Sequence, residues 1–236
     1  MLLANNGQVN NIERLLESNN KLKGLHKVLE SKDPSRYYKL VIKQSAESQF
    51  EFKQKAYPYI ALYSSRNQDL VLLSISFLQR DLKDKDHRTR LIALKTLIDL
   101  TSSTLSNVVL AAIEEMVEDS VKEIRLCAVK GLFKVWELDG KLEEKIVGLC
   151  KRICEYEMDV QVFGEASLCL GIASNEWPHI KKIFNNLLIF NPSLQSRICT
   201  ELVRYFKTSG VSFFDCRIIL SISWKAANRF SIVPCP

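Results

Sequence analysis

Apolar residues recur at intervals of three and four along most of the chain, and no segment alternates polar and apolar positions long enough to make a strand. The pattern predicts an all-α protein. One stretch organises the rest: LKDKDHRTRLIALKTLIDL at 82–100 returns 35 residues later as VEDSVKEIRLCAVKGLFKV at 117–135. Leu82 becomes Val117, Asp84 becomes Asp119, Arg90 becomes Arg125, Ala93 becomes Ala128, Lys95 becomes Lys130 and Leu97 becomes Leu132. A helix-sized unit recurring at this interval is the mark of a solenoid, in which each helical hairpin buries its apolar stripe only against its neighbours.

Individual elements follow from periodicity and punctuation. NNIERLLESNNKLKGLHKVLESKD predicts one or two helices broken near Ser18–Asn20, with Leu22, Leu25, Val28 and Leu29 at helical spacing. Asp33-Pro34 reads as a stop followed by a restart into YYKLVIKQSA. Residues 51–64 predict a further helix, which Pro58 should kink or interrupt. From there the helices pair regularly. Asn67, Asp86, Ser106 and Ser120 are the expected N-caps of DLVLLSISFLQRDLK, LIALKTLIDL, VVLAAIEEMVE and VKEIRLCAVKGLFKVWEL. Leu142–Cys154 pairs with Val160–Ile172, residues 178–190 with 193–208, and Phe214–Asn228 begins one more repeat. Ala93, Leu97 and Leu100, then Ile124, Ala128, Gly131 and Val135, form one stripe on successive second helices. Small residues (Ala93, Ala128, Gly131, Ala166) at its centre permit close helix approach. The expected architecture is a HEAT/armadillo-type α-solenoid of stacked antiparallel helix pairs.

Composition narrows the class. Hydrophobic residues at 47% suffice for a core, and 8 glycines with 6 prolines suit long helices and short turns. No apolar run approaches the roughly 18 residues of a spanning helix, and MLLANNGQVNN lacks the basic and apolar regions of a secretion signal. Seven cysteines without framework spacing read as reduced core residues. Charge is uneven: residues 1–100 carry 17 basic and 11 acidic side chains, 101–176 carry 8 and 14, and 177–236 carry 8 and 2. The basic N-terminal part suits an anionic partner, or is a scatter of solvated charges. The acidic middle interrupts the continuous basic face that a nucleic-acid-binding solenoid needs, so no nucleic acid is expected.

Nothing points to catalysis or a cofactor. Phosphate-binding glycine loops, H-E-x-x-H and G-x-S-x-G are all missing, and His26, His87 and His179 are scattered. Cys150 and Cys154 share a helical face but have no second pair to complete a metal site, which leaves core packing as their reading.

The segment FKQKAYPYIALYSSRNQDLVLLSISFLQRDLKDKDHRTRLIALKTL resembles the N-terminal trunk of the adaptins, the large chains of heterotetrameric vesicle-coat adaptor complexes. The likeness is closest to the beta-type chain of the third adaptor complex. It is carried by Tyr57-x-Tyr59, Tyr63, QDLVLLSIS at 68–76, LKD at 82–84 and the R-x-x-A-L unit at Arg90–Leu94, and extends in weaker form from about Asn11 to Thr208. Three positions depart from the pattern. Pro58 stands where an aliphatic residue is usual, Lys85 replaces a common proline, and Pro192-Ser193-Leu194-Gln195 replaces a tryptophan–glycine–glutamine turn.

The resemblance implies a non-enzymatic scaffold in intracellular, vesicle-mediated transport, cytoplasmic and peripheral to Golgi or endosomal membranes. Its implied partners are a medium chain, a small chain and a second large chain. The expected organisation is a single trunk over 1–236, without hinge or ear, its last repeat incomplete at about 214–236. The alternative is a HEAT/armadillo carrier or regulatory scaffold of another class, such as nuclear transport or phosphatase assembly. The apolar residues Phe214, Ile218, Ile219, Ile222 and Trp224 predict an end that packs on another subunit or belongs to a truncated product.

Two surfaces are candidates for function. In the turn QRDLKDKDHRTR at 79–90, Arg80, Lys83, Lys85 and Arg88 either meet an anionic surface or serve as caps and a charge ladder. On helix 69–83, Val71, Ile75, Leu78 and Leu82 make one stripe and Leu70, Leu73 and Phe77 another, with Ser74 and Asp81 between. Such a helix is either sandwiched in the stack or keeps one side for a partner. The resemblance implies that partner to be an Arf-family GTPase, met by Leu72 and Ile75.

Overall fold

The computed structural model describes residues 2–100, 102, 104–174, 183 and 187–209, and the described residues are almost wholly helical, without strands. The chain divides into two compact units, at Leu138/Asp139. The first contains α1 (Leu2–Glu17), α2 (Lys21–Leu29), α3 (Tyr38–Ser45), α4 (Phe50–Tyr63), α5 (Gln68–Asp81), α6 (His87–Asp99), α7 (Ser106–Met116) and α8 (Lys122–Leu138). Sequential helices pack as hairpins: α1 on α2, α3 on α4, α5 on α6 and α7 on α8. Second helices then stack in a row, α2 on α4, α4 on α6 and α6 on α8, while α1, α3 and α5 form a parallel row of first helices. This is the α-solenoid that the repeat predicts.

The stacking stripe is buried as expected. Ala93, Leu97, Ile124, Ala128 and Val135 are all 1% exposed or less. At its centre, a Cβ on Gly131 would lie 2.6 Å from Ile98 Cδ1 and 2.9 Å from Ile113 Cδ1, so the glycine lets α8 approach both α6 and α7. Gly24 does the same for the first hairpin, where an added Cβ would meet the Leu16 backbone nitrogen at 2.8 Å.

The repeat is also legible in hydrogen bonds. Asp84 Oδ1 accepts the Asp86 amide at 2.8 Å, and Asp119 Oδ1 accepts the Val121 amide at 2.8 Å. Arg90 donates to the carbonyls of Asp84 (2.9 Å) and Lys85 (3.3 Å), and Arg125 donates to those of Asp119 (2.9 Å) and Ser120 (3.3 Å). Arg90 further joins the two repeats, its guanidinium gripping both Asp119 carboxylate oxygens at 2.8 and 3.0 Å. Burial alone pushes the Asp119 carboxyl upward, but hydrogen bonds from Arg90 and the Val121 amide outweigh it and hold the group below its usual value.

The second unit contains α9 (Glu143–Tyr156), α10 (Val160–Ser174) and α11 (Pro192–Ser209), with α9 and α10 paired and α11 packed on α10. Asp159 caps α10, accepting from the amides of Gln161 (2.9 Å) and Val162 (3.1 Å). Glu165, buried in α10, is paired with Arg197 of α11. Cys150 lies buried beside Cys169; the hydrogen bond between them and burial raise its pKa well above the usual thiol value, so it packs as a neutral core residue. Of the helix expected at 178–190, residue 183 is helical and Leu187–Ile189 form a short 3-10 helix. Residues 178–182 and 184–186 lie outside the described residues, as do Phe214–Asn228 and the apolar end at Phe214–Trp224.

Several local expectations need correction. α4 runs unbroken through Pro58. The carbonyl deprived of its donor there belongs to Gln54, and both Pro58 and Gln54 are exposed, so water can satisfy that group. Asp86 caps α6 through the Arg88 amide at 3.0 Å, as expected, but Asn67 instead donates Nδ2 to the Tyr63 carbonyl at 3.0 Å. Ser106 is buried as the first residue of α7, so it does not cap that helix; at the start of α8 the carboxylate of Asp119 accepts a free amide, one residue before Ser120.

Candidate partner-binding surface on α5 and its charged turn

α4 determines which side of α5 faces inward. Residues two apart on a helix point about 200° apart, so Tyr57 and Tyr59 serve opposite neighbours. Tyr59 donates to the Pro34 carbonyl at 2.6 Å and its ring lies 6.2 Å from that of Tyr38. Tyr57 turns to α5, where its ring lies 5.9 Å from Phe77 and its hydroxyl donates to the Asp81 carboxylate. Lys53, one turn earlier on α4, pairs with the same carboxylate at 2.5 Å. Asp81 and Lys53 are both buried, and every hydrogen-bonding atom of the group is satisfied. Burial and the bond to Asp81 push the Tyr57 hydroxyl far above its ordinary pKa.

This network sets the rotation of α5. Val71, Ser74, Phe77, Leu78, Asp81 and Leu82 face inward; Leu72 (64% exposed) and Leu73 (54% exposed) face solvent, with Ile75 half-buried at the border. The two-stripe reading is therefore corrected. Phe77 belongs to the buried side because Tyr57 packs on it, and Ser74 and Asp81 lie within that side rather than between two. α4 is the helix packed from both sides, and α5 keeps one face open.

The charged turn is engaged internally. Arg80 donates to the Ala46 carbonyl and lies 3.3 Å from Asp81. Lys83 pairs with Glu115 of α7 at 3.4 Å. Arg88 pairs with Asp86 at 2.9 Å and stacks 4.4 Å above the Phe50 ring. Hydrogen bonding to Arg88 holds the Asp86 carboxyl below its usual value. Of the four predicted basic residues, Lys85 is exposed and has no side-chain partner among the described residues. The caps-and-ladder reading describes Arg80, Lys83 and Arg88.

Comparison with known proteins decides the lineage. The family model "Adaptin N terminal region" matches residues 23–210. The chain belongs to the adaptin N-terminal family. Similar curated proteins include beta-adaptin-like protein A of Arabidopsis thaliana, 26% identical over 83% of this chain and 26% of its own length. Another is AP-3 complex subunit beta-1 of Mus musculus, 29% identical over 85% of this chain and 19% of its own. A third is AP-3 complex subunit beta of Schizosaccharomyces pombe, 30% identical over 56% and 19% respectively. The chain therefore spans between about a fifth and a quarter of the length of these relatives. Among solved structures, the crystal structure of an engineered protein superposes with a TM-score of 0.58 at 11% identity, covering 84% of this chain and 96% of that one, a likeness of fold alone.

Within this adaptin trunk, the Tyr57-x-Tyr59 motif that carried the resemblance is the element that aims α5. Lys53 and Asp81 were missed as a pair by sequence reasoning. Their spacing of 28 residues has no periodic signal, and a lysine and an aspartate at core-facing positions were the available clue. Among the described residues no cluster of His, Cys, Asp and Glu has the geometry to hold a metal, and no helix is long and apolar enough to cross a membrane.

Proposed function

We propose that this chain is a trunk segment of a beta-type adaptor large chain, acting as a non-enzymatic scaffold in vesicle-mediated transport. The observation that carries the reading is the family match over 23–210, reinforced by curated relatives that are AP-3 beta subunits. Stacked hairpins provide a rigid surface that holds a medium chain, a small chain and a second large chain at the cytoplasmic face of Golgi or endosomal membranes. Affinity purification of the tagged chain from its own cells tests this. Co-purifying medium and small adaptor chains are the expected result; importins or phosphatase subunits in their place would overturn it in favour of another class of HEAT/armadillo scaffold.

Within this reading, Leu72 and Ile75 form the contact for an Arf-family GTPase. The support is an open apolar face on α5, held in orientation by the Tyr57–Asp81–Lys53 network. Leu72→Asp/Ile75→Asp should abolish binding of the GTP-loaded GTPase while leaving the helical circular dichroism intact; equal binding by the folded variant refutes the assignment. Lys85, with the exposed ends of Arg80, Lys83 and Arg88, supplies the contact with an anionic membrane surface. Lys85→Glu should reduce flotation with phosphatidylserine vesicles, and unchanged flotation would remove that contact.

A further inference from the structure

The α5–α6, α7–α8 and α9–α10 turns share a local geometry that puts them in register. Each has a carboxylate accepting the amide two residues on: Asp84 from Asp86, Asp119 from Val121 and Glu157 from Asp159, all at 2.8 Å. The turn acid is thus Asp84, Asp119 and Glu157 in turn, and the residues on either side of it are equivalent positions. They are Lys83 and Lys85 in the third hairpin, Glu118 and Ser120 in the fourth, and Tyr156 and Met158 in the fifth. The turn asks nothing apolar of these positions, since its backbone is held by the acid between them. Yet Tyr156 is 76% exposed, Met158 is 92% exposed, and Val160 beside them is 41% exposed. Three exposed apolar side chains within five residues, on a turn whose backbone does not use them, concentrate apolar surface in the way that marks an interaction site.

We infer that the α9–α10 turn is a docking knob, whose Tyr156 and Met158 insert into an apolar pocket of a protein partner rimmed by basic residues. Tyrosine and methionine are enriched at protein interfaces, the first because it combines a large apolar ring with a polar end and the second because it adapts its shape. The charge of the pocket's rim follows from the neighbours. Glu155, Glu157 and Asp159 alternate with the apolar residues in E-Y-E-M-D-V. Glu157 and Asp159 each accept from backbone amides of the turn, while Glu155 is exposed. Lys151 and Arg152 lie one turn or more back along α9. Three acids at the knob repel an anionic lipid surface, which argues for a protein over a membrane.

Photocrosslinking tests the proposal in the full chain, expressed in its own cells with p-benzoylphenylalanine at position 158 or, as control, at the exposed Glu144 of α9. The expected result is one discrete adduct from position 158, stronger than from 144 by roughly tenfold or more, with the crosslinked peptide of the partner combining apolar and basic residues. Tyr156→Ala and Glu155→Lys should each weaken that adduct, and Tyr156→Ala should raise the Kd of the purified pair by roughly tenfold or more. Because both side chains are exposed, the variants should fold, as circular dichroism will show. An adduct no stronger than the control, an adduct with lipid or with a second copy of this chain, or indifference to Glu155→Lys would each overturn the inference.

Discussion

Replacing Asp81 by leucine removes the acceptor at the centre of the α4–α5 junction. In the native chain its carboxylate lies 2.5 Å from the Lys53 ammonium, with side-chain exposures of 3% and 8%, and accepts the Tyr57 hydroxyl. After the substitution Lys53 is a buried charge without a counterion, a loss that costs about 3–5 kcal/mol. The Tyr57 hydroxyl loses its acceptor as well, for about 1 kcal/mol or more. Arg80 contributes little to the loss, since its head is 58% exposed and is free to turn to water. Lys53→Met alone strands the carboxylate instead and should cost a similar amount, softened by the remaining bonds from Tyr57 and Arg80. The double variant Lys53→Met/Asp81→Leu strands no charge, so it should be no less stable than the milder single variant and recover about 2 kcal/mol or more of the summed loss. Urea unfolding followed by circular dichroism at neutral pH provides the three values. If the double variant costs the sum of the singles, the two charges are not coupled and the account of how α5 is aimed fails.

Further substitutions probe the packing elsewhere in the first unit. Asp119 has its carboxyl held below the usual 3.8, so the Arg90–Asp119 grip contributes stability above that value and loses it as pH falls through the depressed folded pKa; Asp119→Asn should be less stable at pH 7, with the difference shrinking below pH 3.8, as read by urea midpoints across pH. Gly24→Ala drives a methyl into the Leu16 backbone and should cost about 1–3 kcal/mol, whereas Gly131→Ala meets side-chain atoms alone, Cδ1 and Cγ1 of Ile98 and Cδ1 of Ile113, and should cost less; thermal denaturation of the pair tests the order. Pro58→Ala restores a donor to the Gln54 carbonyl in an unbroken helix and should stabilise the chain by about 1–3 kcal/mol in urea unfolding; destabilisation would mean that the proline is needed.

The 35-residue repeat was enough to establish the helical hairpins, the stacking stripe and the small residues at its centre, because burial on a helix has a period that a single chain displays. Arg90 and Arg125 were matched from the repeat alone, and their guanidinium groups make the same pair of carbonyl contacts. Leu72 was a candidate by resemblance, and its exposure is a fact of packing. What only tertiary structure decided is which side of α5 faces out, since Val71, Leu72, Leu73 and Ile75 are equally apolar as letters. The choice is made by Tyr57, Lys53 and Asp81, residues distant in sequence whose buried polar groups must satisfy one another. Likewise, Arg80, Lys83 and Arg88 meet Ala46, Glu115 and Phe50, residues distant in sequence that only the packing brings to the turn. Periodicity determines that a helix buries a face; long-range pairing, which has no period, determines against what it is buried and which face is left open.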